Sequence, residues 1–329
     1  MRRRFLKPLL ALATASLLAP ALAQAQTSSD KPIRLVLGQA AGGAVDTVAR
    51  ALAEMLGKEL GQTVVVDNRP GAGGMLAAEL LANAPADGHT LALLDVGSVV
   101  VNPLLQKTVR YDVRKDFAYL GSVARIPLAM VAHPSLPVAS LKELTQLAQA
   151  QPGKLSYASS GVGSPPQFTF ENYKQQAGVN ISHVPYRGGA PALADVVAGH
   201  IPLTVVDTNL ASQYLKDGRI KVLAVATARR SPLMPLVPTF AEAGYQVSDF
   251  VPWVGVLAPA KTPAATLQRL EDKLGKVTVS AAFAARMKAI GFDAEPGTGA
   301  ALSELVQADL QRYGALIRSQ GIQLDDTAR

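Results

Sequence analysis

Two glycine-rich runs hold the residue types and spacing best suited to binding chemistry. Gly38-Gln39-Ala40-Ala41-Gly42-Gly43 and Ser159-Ser160-Gly161-Val162-Gly163-Ser164 each follow a short apolar run and precede a stretch with helical periodicity. Loops of this kind expose backbone N–H groups, and a helix N-terminus carries about half a positive charge, which together suit a carboxylate or another anion. Charge-assisted hydrogen bonds of about 1.5–3 kcal/mol each sum to micromolar affinity without an arginine in the pocket. The structural alternative is a pair of tight strand-to-helix turns that need glycine for positive φ. Asp46 has a similar double reading, because it stands four residues before Arg50 and fits a first-turn helix acid with an i,i+4 partner. Trp253, the one tryptophan, reads as core more readily than as a ligand platform.

Local signatures of catalysis are missing. Gly163-Ser164 continues into Pro165-Pro166, so it is not the Gly-x-Ser-x-Gly nucleophile elbow. Gly38 and Gly43 have the gap of a phosphate-binding loop but continue into Ala44-Val45, where Lys and Ser or Thr are needed, and the dinucleotide fingerprint fails as well. His89, His133, His183 and His200 stand singly, none at metal-ligand spacing, and Asp325-Asp326 reads as a solvated tail rather than a cation site. With no cysteine there is no thiolate chemistry, no disulfide and no lipid-bearing Cys. The sequence therefore predicts no catalytic residue, no metal and no cofactor. A secreted α/β enzyme with a triad assembled from distant residues, acting on a carboxylated substrate, is the alternative that local motifs do not address.

The elements that must position these loops alternate between strand and helix. Strands are predicted at 33–37, 63–66, 90–94, 128–132, 155–158, 181–184, 203–206 and 221–226. Val45, Val48, Ala49, Leu52 and Leu56 recur at helical spacing, and Gly61 stops that helix. Further helices are predicted near 75–83, 141–150, 191–198 and 210–215, with another beginning near Pro165. Past Trp253 the pattern reads as helical, at 264–274, 281–290 and 300–319. Alternating β and α units imply an α/β fold with a parallel sheet and helices on both faces. Gly42-Gly43-Ala44 and Gly188-Gly189-Ala190 echo each other at two strand-to-helix junctions, too briefly to establish a duplication.

The chain of 329 residues, 49% of them apolar, can bury two domain cores. Its formal charge of +7 is concentrated at one end, since Arg2, Arg3, Arg4 and Lys7 precede any acid; the remainder carries 28 basic and 25 acidic residues. No later stretch interleaves basic and aromatic residues, so nucleic acid is excluded as a partner. The basic start, the apolar run 8–19 and the small-residue sites Ala21-Leu22-Ala23 and Ala23-Gln24-Ala25 describe a secretory signal peptide over 1–25, cleaved after Ala23 or Ala25. The apolar run falls well short of the roughly 20 residues a spanning helix needs. Arg2-Arg3-Arg4-Phe5-Leu6-Lys7 also resembles a twin-arginine signal, the alternative to the general secretory route. The mature protein is expected in the periplasm, as a soluble monomer.

Several of these segments carry a resemblance. Ala41-Gly42-Gly43-x-x-Asp46-x-x-Ala49-Arg50, Val66-Asp67-Asn68-Arg69-Pro70-Gly71-Ala72-Gly73-Gly74 and Pro85-Ala86-Asp87-Gly88-His89-Thr90-Leu91 occur in order, followed by Pro152-Gly153-Lys154-Leu155-Ser156-Tyr157-Ala158-Ser159-Ser160-Gly161. His183-Val184-Pro185-Tyr186-Arg187-Gly188-Gly189-Ala190-Pro191-Ala192, Pro238-Thr239-Phe240-x-Glu242-Ala243-Gly244 and Trp253-x-Gly255 complete the series. The chain resembles the Bug-type receptors, the periplasmic solute-binding proteins of tripartite tricarboxylate transporters, over essentially its whole mature length.

The resemblance implies an α/β, two-domain, type II-like periplasmic-binding-protein fold, each domain a mixed, mainly parallel sheet flanked by helices, with the ligand in the cleft between them. One domain would combine 30–128 with 253–329 and the other would be 129–252, with crossovers near 126–132 and 250–255. It implies a small organic anion, a mono- or dicarboxylate, held by loop amides and hydroxyls and delivered by hinge closure to membrane permease subunits. A sensor kinase ectodomain of a two-component system is an alternative partner. Carried over by position, the ligand-binding residues are Gln39, Ala41, Gly42, Gly43, Asp46 and Ser98 on one side. On the other they are Ser159, Ser160, Gly161, Gly163, Ser164, Gln167, Asp207 and Thr208. Substituting Asp207 or Ser160 with Ala is expected to weaken binding and leave stability unchanged. Two departures matter: Gly38-Gln39-Ala40-Ala41 replaces the family's larger residue and Pro, and Pro166-Gln167 stands where the family often has His. The first implies a differently shaped pocket, and the second argues against a pH-sensitive cleft.

Overall fold

The computed structural model describes residues 31–106, 108–186, 188–246 and 252–321. The expected signal segment 1–25, the Asp325-Asp326 pair and residues 250 and 251 of the expected second crossover lie outside the described residues.

The chain opens with β1 (Ile33–Leu37), α1 (Ala44–Leu60), β2 (Val64–Asn68), α2 (Met75–Ala82) and β3 (Thr90–Asp95). A wide helical turn, Gly97–Val101, leads into α3 (Asn102–Leu105), and β4 (Phe117–Arg125) follows. Next come β5 (Leu128–Ala132), α4 (Leu141–Ala150), β6 (Ser156–Ser159), α5 (Pro165–Ala177) and β7 (Ser182–Pro185). Then α6 (Gly189–Val197), β8 (Leu203–Asp207), α7 (Thr208–Leu215) and β9 (Lys221–Val225) complete the middle of the chain. The last part is β10 (Trp253–Pro259), α8 (Ala264–Thr278), α9 (Ala281–Ala289), β11 (Asp293–Ala294) and α10 (Gly299–Gln320).

Local rules set these elements. In α1 the apolar positions Val45, Val48, Ala49, Leu52 and Leu56 are all buried on one face, and Gly61 ends the helix at φ 64°, its N–H directed at the Gly57 and Lys58 carbonyls. Ser140, Asp207, Ser280 and Thr298 cap α4, α7, α9 and α10 with side-chain oxygens.

The strands form two mixed sheets, ordered β11-β4-β10-β3-β1-β2 and β7-β6-β8-β5-β9. In the first, β1 pairs in parallel with β2 and β3, while β10 runs antiparallel to β3 and β4. In the second, β6 is parallel to β7 and β8, and β5 is antiparallel to β8 and β9. Alternate residues face opposite layers. Leu35, Leu37, Leu91 and Leu93 pack toward α1, α8 and α9, whereas Val36, Ala92, Leu94 and Leu257 pack toward α2 and α10. The second sheet is sandwiched in the same way, with Leu203 and Val205 in one layer and Ala129, Val131 and Val206 in the other.

The α/β class and the helices on both faces agree with expectation, but antiparallel pairing is as prominent as parallel. The source is β4 and β10 in the first sheet and β5, antiparallel to both its neighbours, in the second. Residues 117–125 carried no strand prediction, and the region from Trp253 onward was expected to be helical, yet Trp253–Pro259 is a strand. All seven of its residues are buried between β3 and β4, so the run lacks the polar alternation that marks a half-exposed strand.

The chain passes from the first sheet to the second through Ile126-Pro127. The Ile126 N–H donates to the Pro252 carbonyl at 2.8 Å, so the outgoing and returning segments lie side by side. The Thr208 N–H reaches the Pro127 carbonyl at 2.9 Å.

Candidate functional site

Within each sheet, the parallel strands bring the candidate loops to one edge. The carboxyl ends of β1, β2 and β3 share one edge of the first sheet, and those of β6, β7 and β8 share one edge of the second. Register places Trp253 opposite Arg125, Val254 opposite Asp95, and Leu128 opposite Asp207, so the short link at 126–127 ties these two edges to each other. In open α/β sheets this is the end where ligands collect.

On the first sheet, three loops converge. A Cβ on Gly38 would collide with the Cα of Gly74, and one on Gly74, at φ 92°, would lie 3.0 Å from Ser98 Cβ. Glycine is thus required where the turns after β1 and β2 meet the turn after β3. Asp46 is buried and fastens the first loop. Its carboxylate accepts the Gly42 N–H at 2.8 Å, Arg50 Nε at 2.9 Å and Asn68 Nδ2 at 3.0 Å. Burial works to raise the Asp46 pKa, but bonds from Arg50, the Gly42 amide and Asn68 outweigh it and hold the carboxyl below its ordinary value. Gln39 Nε2 donates to Asp95 at 2.9 Å, and the Gln39 carbonyl accepts from Asn68 at 3.1 Å. Ala41, Gly42 and Gly43 are exposed; Ala41 and Gly42 border a depression of about 460 Å³ with Thr47, Arg50, Arg286 and Ile290. Ser98 is buried, bonded through its N–H and hydroxyl to Asp95, while Tyr111 donates to its carbonyl.

On the second sheet, Ser159 ends β6 and its hydroxyl organises the loop. Ser159 Oγ donates to the Gly161 carbonyl at 3.0 Å, accepts the Gly161 N–H at 3.2 Å and lies 2.6 Å from His183 Nε2. Ser164 Oγ donates to the same Gly161 carbonyl at 2.7 Å. The Gly163 N–H donates to Gln167 Oε1 at 2.7 Å, and Gln167 Nε2 faces His183 Nδ1 at 3.2 Å. Since an N–H must meet an acceptor, Gln167 presents its oxygen to Gly163 and its NH2 to His183. Nδ1 is then the ring's acceptor, and the proton of the neutral imidazole sits on Nε2, pointing at Ser159. Nucleophilic activation needs the opposite arrangement, a lone pair on the nitrogen that faces the hydroxyl. The Ser159–His183 pair is therefore a structural bond and not a catalytic dyad. The Ser160 side chain is half-buried and has no hydrogen-bond partner among the described residues. Pro165 and Pro166 carry no N–H, so donors at this end of α5 come from Ser160, the loop amides and Gln167.

Asp207 and Thr208 join the edge from β8. Asp207 caps α7, accepting the Leu210 N–H at 2.8 Å. Burial pushes its carboxyl above the ordinary value, against the pull of amide bonds from Leu210, Asp207 itself and Asn209. A cap residue lost to Ala costs stability, so the expectation that Asp207→Ala spares stability does not hold. Thr208 is buried and bridges the two halves, donating from Oγ1 to the Gly291 carbonyl at 3.2 Å.

Sequence reasoning passed over four contributors: Asn68, Asp95, Gly74 and His183. Gly74 lay in a recognisable glycine run between a strand and a helix. His183 was visible only through pairing, because the parallel register of β6 and β7 sets it beside Tyr157, two residues before Ser159. An imidazole thus stands next to this loop although Gln167 occupies the position where one was expected to be missing. Trp253 is core, 1% exposed, and its Nε1 donates to the buried Asp309 at 2.7 Å.

Two α/β halves joined by adjacent crossovers, with helix-entry loops on the strand ends linked there, define a periplasmic-type solute-binding protein. Residues 48–322 match the family model of the tripartite tricarboxylate transporter family receptor, and the chain belongs to that family. It is 31% identical over 314 residues to protein BugT of Bordetella pertussis, covering 95% of this chain and 96% of that one. Among solved structures, R. palustris Rpa4515 with adipate is 34% identical with a TM-score of 0.81, covering 89% of this chain and 98% of that one. MatC from Rhodopseudomonas palustris with bound malate is 28% identical with a TM-score of 0.76, covering 87% and 98%. Family and fold are those of receptors rather than enzymes.

Proposed function

We propose that this receptor captures a small mono- or dicarboxylate in the periplasm, closes over it by rotation about 126–127 and the returning segment before Trp253, and delivers it to membrane permease subunits. The observation that carries this reading is the placement of loops 39–43 and 159–164, both at helix entries, on strand edges tied together at 126–127. Partial positive charge at those helix starts, with exposed Gly42 and Gly43 and a Ser160 hydroxyl that has no hydrogen-bond partner among the described residues, suits a carboxylate without a cationic side chain. Adipate and malate in the related receptors supply the chemical class. Asp46, Asn68, Gln39 and Asp95 hold the first loop in shape, and Gln167 with Ser159 holds the second.

Thermal unfolding against a panel of mono- and dicarboxylates tests the reading. A true ligand at 100 times its Kd stabilises the protein by about 2.7 kcal/mol, a shift of several degrees. Ser160→Ala is expected to weaken that response while leaving the ligand-free melting temperature unchanged. A panel that moves nothing overturns the reading.

A further inference from the structure

His183 has no place among the ligand residues proposed above, yet the loop 159–164 depends on it. One imidazole connects the two bonds that hold the loop's amides. Nδ1 receives Gln167 Nε2, whose Oε1 takes the Gly163 N–H, and Nε2 meets Ser159 Oγ, which takes the Gly161 N–H. We propose that His183 is a positioning residue for this loop, and that adding a proton to its ring unlatches it. A doubly protonated ring has an N–H at Nδ1, which faces the NH2 group of Gln167 donor to donor. Gln167 satisfies that N–H only by turning its amide over, and the turn withdraws Oε1 from Gly163. The loop then loses the bond that fixes its second glycine, and its amides no longer present one shape to an anion.

Titratable groups on the packed elements lie around the ring. The Tyr157 ring stacks on His183 with centroids 4.9 Å apart, and its hydroxyl donates to Glu171 at 2.6 Å. Lys174 pairs with Glu171 at 2.8 Å and sits over the Tyr157 ring, so those two charges offset each other. Beyond β7, the Tyr186 hydroxyl is bonded to Asp195, which also faces His200.

The functional meaning of this latch rests on the reading of 159–164 as a ligand loop, but its geometry does not, and the test is made on ligand-free protein. Hydrogen exchange of the Gly161 and Gly163 amides, corrected for intrinsic rates, is followed by NMR from about pH 8 to about pH 5, the range in which histidine charges. Protection of the Gly163 amide in the wild type is expected to fall about tenfold on acidification, the equivalent of one hydrogen bond. His183→Gln should show low protection at every pH. Gln167→Glu should keep protection at acid pH, because a carboxylate accepts both the Gly163 N–H and an Nδ1–H. Equal protection in wild type and His183→Gln, or wild-type protection that ignores pH, overturns the proposal; should His183→Gln fail to fold, the wild-type titration and Gln167→Glu decide. Failure here leaves the carboxylate reading standing, and a silent carboxylate panel leaves this measurement decisive.

Discussion

Asp207 shows how a single side chain can serve the scaffold and be proposed for the site. Its carboxyl caps α7 and is pushed above the ordinary carboxylate value by burial. A group whose folded pKa is raised binds its proton more tightly when folded, so stability increases as pH falls through that pKa and the cost is full above it. Asp207→Asn keeps a capping oxygen and removes the charge. Its melting temperature at neutral pH should match or exceed the wild type and should lose the wild type's gain on mild acidification. Asp207→Ala should cost about 1 kcal/mol through the lost cap. Asn and Ala variants that destabilise equally would contradict this. Asp46 has the opposite sign, since its lowered carboxyl contributes stability above the ordinary carboxylate range that is lost as pH falls through its folded value. The candidate residues were legible as types in turns. Their partners were not, because Asn68, Asp95 and His183 reach the loops from strand positions 22 or more residues away, and only pairing register brings them there.

At the scale of elements, glycines mark where layers touch. Gly121, inside β4 at φ 151°, faces the Gly297 carbonyl so closely that a Cβ there would collide with backbone. Gly275, in α8, has open space where a Cβ would go. Gly121→Ala should therefore destabilise by more than about 1 kcal/mol, whereas Gly275→Ala should stabilise by about 0.5–1 kcal/mol, both read from denaturant midpoints. Similar effects of the two would show that β4 and the turn before α10 do not approach as described. The elements that sequence patterning found were those with a readable period: α1 through its buried face, and β1, β3, β5 and β8 through short apolar runs closed by turns. β10 escaped because it is buried on both faces. β4 escaped because Gly121 and Ser122 break its apolar run, although the close approach of Gly297 requires glycine at 121.

The whole molecule is held by contacts that cross between the halves. Phe168 of α5 is fully buried in the core layer of the first sheet, meeting Tyr313 of α10 edge to face at 4.9 Å between centroids. Gly163 packs on Val101 and Leu105, and Thr208 bonds to Gly291. Any opening of the cleft must part or pivot on this set, so Phe168→Ala, beyond a loss of about 3–5 kcal/mol, should raise the ligand-free radius of gyration in X-ray scattering; an unchanged radius would mean that Phe168 does not hold the halves together. The central claim is that one anion is gripped by loops from both halves. Titrating 15N-labelled protein with a carboxylate that raises its melting temperature, and following backbone amide shifts, tests this most directly. The account predicts that amides of 39–43 and of 159–164 move together along one binding curve. Shifts confined to one half, or centred on the separate depression bordered by Tyr111, Arg114 and Arg318, would contradict it.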